Sequence, residues 1–100
     1  MKRLMMVVVL ITAAACKNDP KTYAVEVLDG QFSPSSLSVP LGSTVGWSWN
    51  GANEHQVRFR DSQESEVQVM GSYGRRFDTP GTYRYECAVH SIMGGVIFVQ

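Results

Sequence analysis

From Tyr23 to Val99 the apolar residues of this chain recur at every second position, in short runs that turn signals interrupt. Tyr23, Val25 and Val27 share one parity. Leu37 and Val39 form the next set, followed by Val45, Trp47 and Trp49, by His55, Val57 and Phe59, and by Val67 and Val69. Tyr83, Tyr85 and Cys87 come next, and Ile97 and Val99 close the chain. Polar or small residues such as Glu26, Ser48, Arg58, Gln68, Arg84 and Glu86 lie between them. Successive side chains of a strand point to opposite faces, so this period specifies strands buried on one side. The runs are punctuated by Asp29-Gly30, Pro40-Leu41-Gly42, Asn50-Gly51, Met70-Gly71-Ser72, Pro80-Gly81 and Gly94-Gly95, all turn-forming combinations. No helical period follows residue 20. Seven or eight short strands at this spacing predict an all-β antiparallel sandwich or small barrel. Trp47, Trp49, Tyr83 and Tyr85 fall on inward parity and are expected in its core. Arg58, Arg60 and Arg84 alternate outward with acidic residues such as Asp61, Glu64 and Glu86 and read as solvated faces, a docking patch for a redox partner being the alternative.

The N-terminus follows other rules. Lys2 and Arg3 precede the apolar stretch Leu4 to Ile11, and Thr-Ala-Ala-Ala leads to Cys16. A basic start, a short apolar stretch and small residues describe a secretory signal, and the stretch is shorter than the roughly 20 apolar residues of a membrane span. Ala13-Ala14-Ala15-Cys16 resembles a bacterial lipobox, in which the cysteine becomes the lipidated first residue. Ala13 stands where that pattern more often has Leu, and ordinary cleavage to a freely soluble periplasmic protein is the alternative. The expected organisation is a lipoprotein signal over 1–15, a lipidated Cys16 with a polar linker over 16–22, and one domain over 23–100. The six residues 17–22 reach at most roughly 20 Å, so a lipid on Cys16 would hold the domain close to its membrane.

Removing residues 1–15 takes Lys2 and Arg3 from 9 basic residues against 9 acidic, leaving 7 minus 9, or −2. That balance lacks the basic patch of a nucleic-acid binder. The domain left is about 80 residues, small enough that a bound metal would help to stabilise it. With Cys16 lipidated, Cys87 is the one thiol left in an oxidising compartment: an intermolecular disulfide partner, a reactive thiol or a metal ligand.

The segment from Cys87 to Met93 decides among these. Cys87 closes one strand and the run ending in Val99 forms the next, so the short connection presents His90 and Met93. The chain has 2 histidines, and the other, His55, opens a strand on core-facing parity. If those strands are neighbours, thiolate, two imidazoles and thioether converge at one end of the sandwich. Two histidines, one cysteine and a weak axial methionine are the ligand set of a blue-copper electron-transfer site. Copper(I) favours the soft sulfurs and copper(II) the imidazoles, so a mixed site in a rigid, dry frame changes little when an electron moves. Met70, before Gly71, reads as a loop or core residue.

Cys-x-x-His-x-x-Met resembles the ligand loop of the cupredoxins, in its short amicyanin-like form; the plastocyanin form has a longer gap before Met. The stretch Val45-Gly-Trp-Ser-Trp-Asn-Gly-Ala-Asn-Glu-His55-Gln-Val-Arg-Phe59 is similar to the halocyanin and plastocyanin segment carrying the first histidine. Phe32-Ser-Pro34, Leu37-Ser-Val39, Gly42-Ser-Thr-Val45 and Asp78-Thr-Pro-Gly-Thr-Tyr83 also match. The resemblance covers residues 22–100 and implies a Greek-key cupredoxin sandwich holding one type 1 copper ion, with His55, Cys87 and His90 equatorial and Met93 axial. It further implies an exported, monomeric electron carrier serving protein redox partners, with an apolar patch of Ala88, Ile92 and Met93 around an exposed edge of His90. Two positions depart from the pattern. Gln56 stands where Asn often locks the ligand loops together. Glu54 brings a carboxylate next to the first histidine, where it is expected to lower the reduction potential.

Competing readings are narrowed by what the chain lacks. Multicopper oxidases need many more histidines, and a dinuclear copper site needs two cysteines in its loop. Structural zinc is disfavoured because methionine is a poor zinc ligand. Copper scavenging or delivery without electron transfer is the alternative from a different class; delivery proteins usually carry Met- or His-rich tracts, and this chain has none.

Overall fold

The computed structural model describes residues 19–90 and 92–100; the expected signal segment and Cys16 lie outside them. Eight strands follow in order: β1 (Thr22–Leu28), β2 (Gln31–Ser33), β3 (Ser36–Val39), β4 (Thr44–Trp49), β5 (Arg58–Phe59), β6 (Ser72–Arg76), β7 (Gly81–Glu86) and β8 (Gly94–Val99). They form two four-stranded sheets, β2-β1-β4-β6 and β3-β8-β7-β5. The all-β sandwich is therefore as the alternation predicts, and its sheets are mixed. β1 pairs β4 in parallel, as β3 pairs β8, and the other ladders are antiparallel. Parallel neighbours need a crossover, and here the chain makes it by passing through the opposite sheet between β1 and β4. Periodicity reports which face a residue occupies, not which strand lies beside it.

Burial follows parity along the long strands. Val25, Val27, Val45, Trp47, Ile97 and Val99 are buried, and the residues between them mostly face outward. The two sheets are joined through aromatic contacts. The Trp47 ring on β4 meets Phe59 on β5 and Tyr85 on β7 edge-on, at centroid separations of 5.6 and 5.3 Å. Phe32 on β2 reaches the same Tyr85 at 4.7 Å. Burial pushes the Tyr85 hydroxyl up to about 12, and the nearby Trp47 indole opposes part of that rise.

Two regions depart from simple alternation. His55, Gln56 and Val57 are buried in succession, and His55 lies ahead of β5 rather than in it, joined to Gln68 by a single antiparallel bridge. Val67 and Val69, expected on an inward face, are 49% and 44% exposed. Their segment is held by the isolated bridges Arg58–Glu64 and His55–Gln68, which do not maintain one continuous pleat, and Ser65 is the residue it buries. The expected linker also ends early: β1 begins at Thr22, and Lys21 is tied to β4 through Thr44 N–H and to Ser43 Oγ.

Arg75 on β6 occupies a position that outward-facing arginines do not. Its side chain is 14% exposed and its guanidinium lies 4.5, 4.8 and 5.0 Å from the ring centroids of Phe59, Phe77 and Tyr83. Both of its terminal nitrogens donate to Asp61, at 3.2 and 2.6 Å. A planar guanidinium can stack on rings and fork onto a carboxylate at once. The hydrogen bonds from Arg75 hold the Asp61 carboxyl below its ordinary value of 3.8.

Two outcomes follow for stability. Gly95 faces Tyr85 across the β7–β8 ladder, and a Cβ there would lie 2.8 Å from Tyr85 Cε1. Gly95→Ala is expected to cost about 1–3 kcal/mol by overpacking, read as a lower urea midpoint with an unchanged m-value. Because Asp61 is depressed in the folded state, its stabilisation is complete above its unfolded value and is lost as pH falls through the lower folded one. Asp61→Asn should lower stability at pH 7 by less than about 1 kcal/mol and flatten the fall seen below about pH 4 in urea unfolding across pH.

Candidate metal centre

One end of the sandwich collects polar donors from two loops. The first lies between β4 and β5. Trp49 closes β4 and its indole N–H donates to the His55 carbonyl at 3.0 Å. Gln68 exchanges both backbone hydrogen bonds with His55, each 3.0 Å. The His55 backbone is thus held on both sides, and its imidazole is carried into the interior, where the residue is 1% exposed. The second loop is the connection from β7 to β8. His90 N–H donates to the Cys87 carbonyl at 3.2 Å, Met93 N–H to the His90 carbonyl at 3.1 Å, and Cys87 N–H to the Met93 carbonyl at 2.9 Å. These three backbone bonds tie Cys87, His90 and Met93 closely together. Cys87 and Met93 are each 1% exposed and His90 is half-buried.

The sulfur of Cys87 lies between the two rings. Its Sγ is 3.7 Å from His55 Nδ1 and 3.6 Å from His90 Nδ1, and the donor atoms of the three residues all lie within 4.8 Å of one another. A metal about 2.0 Å from nitrogen and about 2.3 Å from sulfur would separate those atoms by about 3.7 Å at a trigonal angle. The side chains are therefore already spaced for a shared ion. A thiolate with two imidazoles suits a copper ion that alternates between soft and borderline states, and the donor set fits that metal. The tight turn buries Met93 in the core cluster at the same end.

The other face of the His55 ring is engaged as well. Its Nε2 lies 2.9 Å from Asp29 Oδ1. Asp29 also accepts from the backbone N–H groups of Ala52 at 2.9 Å and Asn53 at 3.0 Å. These contacts, the His55 hydrogen bond foremost, hold the Asp29 carboxyl down at about 2. An ionised acceptor at Nε2 calls for the tautomer with the proton on Nε2, which leaves the Nδ1 lone pair facing the centre. Asp29 was legible in the sequence only as half of the Asp29-Gly30 turn, and no periodicity links it to a residue 26 positions away. The sequence places a different carboxylate, Glu54, next to His55. It is exposed and makes none of the described hydrogen bonds to the site. Gln56 likewise turns away from the role its position suggested: its Nε2 donates to the Ser65 carbonyl at 2.8 Å, so it anchors the 64–70 segment. The apolar rim also differs from expectation. Met93 is inside, and the exposed residues around His90 are Ala88, Val89 and Ile92, the last 91% exposed.

A family model described as a cupredoxin-like domain matches residues 3–99. The chain belongs to the cupredoxin-like family. It is 36% identical over 84 residues to the plastocyanin of Scenedesmus fuscus, covering 69% of this chain and 86% of that protein. It is 30% identical over 83 residues to amicyanin-alpha of Methylorubrum extorquens, covering 76% of this chain and 70% of that protein. Among solved structures, an amicyanin variant in its reduced Cu(I) form at pH 4 superposes with a TM-score of 0.73 at 26% identity, over 79% of this chain and 82% of that one. The cofactor of this cupredoxin is a single type 1 copper ion.

Burial of the thiol makes a direct prediction. In the folded, metal-free protein Cys87 should react with a bulky aromatic disulfide reagent at least about 100-fold more slowly than in denaturant, because the sulfur is reached only by opening the turn. Absorbance stopped-flow measures both rates.

Proposed function

We propose that this chain is an exported blue-copper protein that carries single electrons between membrane-associated redox partners, and that His55, Cys87, His90 and Met93 would hold the copper. The observation that carries this reading is the Cys87 sulfur set between two imidazole nitrogens at 3.7 and 3.6 Å, on a turn that also buries Met93. Bound copper supplies a one-electron Cu(II)/Cu(I) couple. The chain supplies the frame. His55 and Cys87 are buried, and the hydrogen bonds to the His55 backbone and among Cys87, His90 and Met93 would hold the donors in place as the copper changed oxidation state. A site that keeps its geometry needs little rearrangement to gain or lose an electron. His90 is the ligand with an exposed part, and the apolar surface of Ala88, Val89 and Ile92 beside it suits brief contact with a partner. Electrons enter and leave there.

The protein is an electron carrier rather than an enzyme. Buried ligands argue against the alternative of copper delivery, which needs a labile and accessible site. The proposal extends to export by the 1–15 signal, anchoring through lipid on Cys16, and a monomeric working form with protein donor and acceptor.

Copper(II) titration of residues 17–100, followed by visible absorption and electron paramagnetic resonance, tests the reading. One equivalent should give an intense blue band and a narrow copper hyperfine splitting, both lost in Cys87→Ser. A colourless complex, or no binding, would overturn it.

A further inference from the structure

The β1–β2 corner contributes a residue to this centre that none of the copper-ligand motifs contains. Asp29 directly follows β1, where Gly30, at φ +98°, turns the chain into β2. Its carboxylate reaches across to the loop that carries His55 and makes three contacts there: Ala52 N–H, Asn53 N–H and His55 Nε2. The loop is shaped for this approach. A Cβ on Gly51 would lie 2.5 Å from Asp29 Oδ1 and 2.9 Å from both its Cγ and its backbone nitrogen, so only glycine leaves room for Asp29 to approach this closely. Neighbouring bonds fasten the same two elements together: Asn50 N–H donates to the Val27 carbonyl at 2.9 Å, and Asn50 Nδ2 to Glu26 Oε2 at 3.3 Å. The His55 ring therefore stands between a carboxylate on one nitrogen and the centre on the other, and Asp29 is the charged group in contact with it.

We infer that Asp29 is the positioning residue that presents His55 Nδ1 to the copper and, through its charge, sets the reduction potential toward the oxidised state. The inference rests on the copper reading above. A full negative charge one imidazole away from the ion favours Cu(II), the more positive state, and a carboxylate acceptor raises the basicity of a ligating imidazole. Glu54, adjacent to His55 in sequence but exposed, has no such contact and serves as the internal control.

The test compares the copper-loaded protein with its Asp29→Asn, Asp29→Ala, Gly51→Ala and Glu54→Gln variants. Asp29→Asn keeps an acceptor oxygen for Nε2–H and removes the charge. It should keep the blue band and shift the Cu(II)/Cu(I) equilibrium about tenfold toward Cu(I), which is about 59 mV upward for one electron. Because the Asp29 side chain is 40% exposed, the difference should shrink as ionic strength rises. Gly51→Ala, which keeps every charge but displaces the carboxylate, should move the potential in the same direction, and it carries the test if Asp29→Asn does not fold. Glu54→Gln should leave the potential in place. In the diamagnetic Cu(I) protein, the His55 Nε2 proton should appear as a slowly exchanging resonance that Asp29→Ala removes. A blue wild type whose potential is unmoved by Asp29→Asn and Gly51→Ala overturns this inference alone. A wild type that binds no type 1 copper overturns the copper reading and this inference with it.

Discussion

A thiol and an imidazole packed side by side at the end of an apolar core are what the rest of this structure has to accommodate. A buried polar group costs free energy unless it is partnered. His55 meets that demand on both ring nitrogens, one facing Asp29 and the other Cys87. Its backbone is held by Gln68 and by the Trp49 indole. Each partner comes from a different element. The corner after β1, the end of β4, the 64–70 segment and the β7–β8 turn must all arrive at one place for a single histidine to be buried without penalty. The same convergence brings the donor atoms of His55, Cys87 and His90 together, so burying the histidine and gathering the donors are one requirement.

The sheets are held at the spacing this needs by the aromatic contacts between them. Trp47 and Phe32 on one sheet close on Phe59 and Tyr85 of the other. Tyr85 lies two residues before Cys87 on β7, so the position of the thiol follows from the seat of that ring. At the flank, Arg75 covers Phe59, Phe77 and Tyr83 with its guanidinium and gives its charge to Asp61. A charged residue closes the apolar core there because its flat face is weakly hydrated and its fork finds a carboxylate.

Much of this was legible before the fold was known, and the limits have physical causes. Alternation identified the inward faces of β1, β4, β7 and β8, since strands buried on one side must alternate. It failed at Val67 and Val69, where single bridges replace a ladder, and it was silent on Phe77 and Arg75, whose burial comes from neighbours distant in sequence. The Cys87, His90 and Met93 spacing was readable because a tight turn must present these residues together, whatever surrounds it. Asp29 reads as a turn residue because Asp-Gly is a turn signal, and it is one; its contact with His55 depends on a loop folded against it.

The sequence by itself determined the strand pattern, the identity of the donor side chains and the class of metal chemistry they suit, because pleat parity and ligand softness are properties of local residues. Only the tertiary structure decided that β1 lies parallel to β4 and β3 to β8, that Met93 is enclosed while Ala88, Val89 and Ile92 form the outer rim, and that Asp29 rather than Glu54 touches His55. Those outcomes depend on which elements pack together through space. Two carboxylates equally able to accept a hydrogen bond are distinguished only by where the β1–β2 corner and the His55 loop meet.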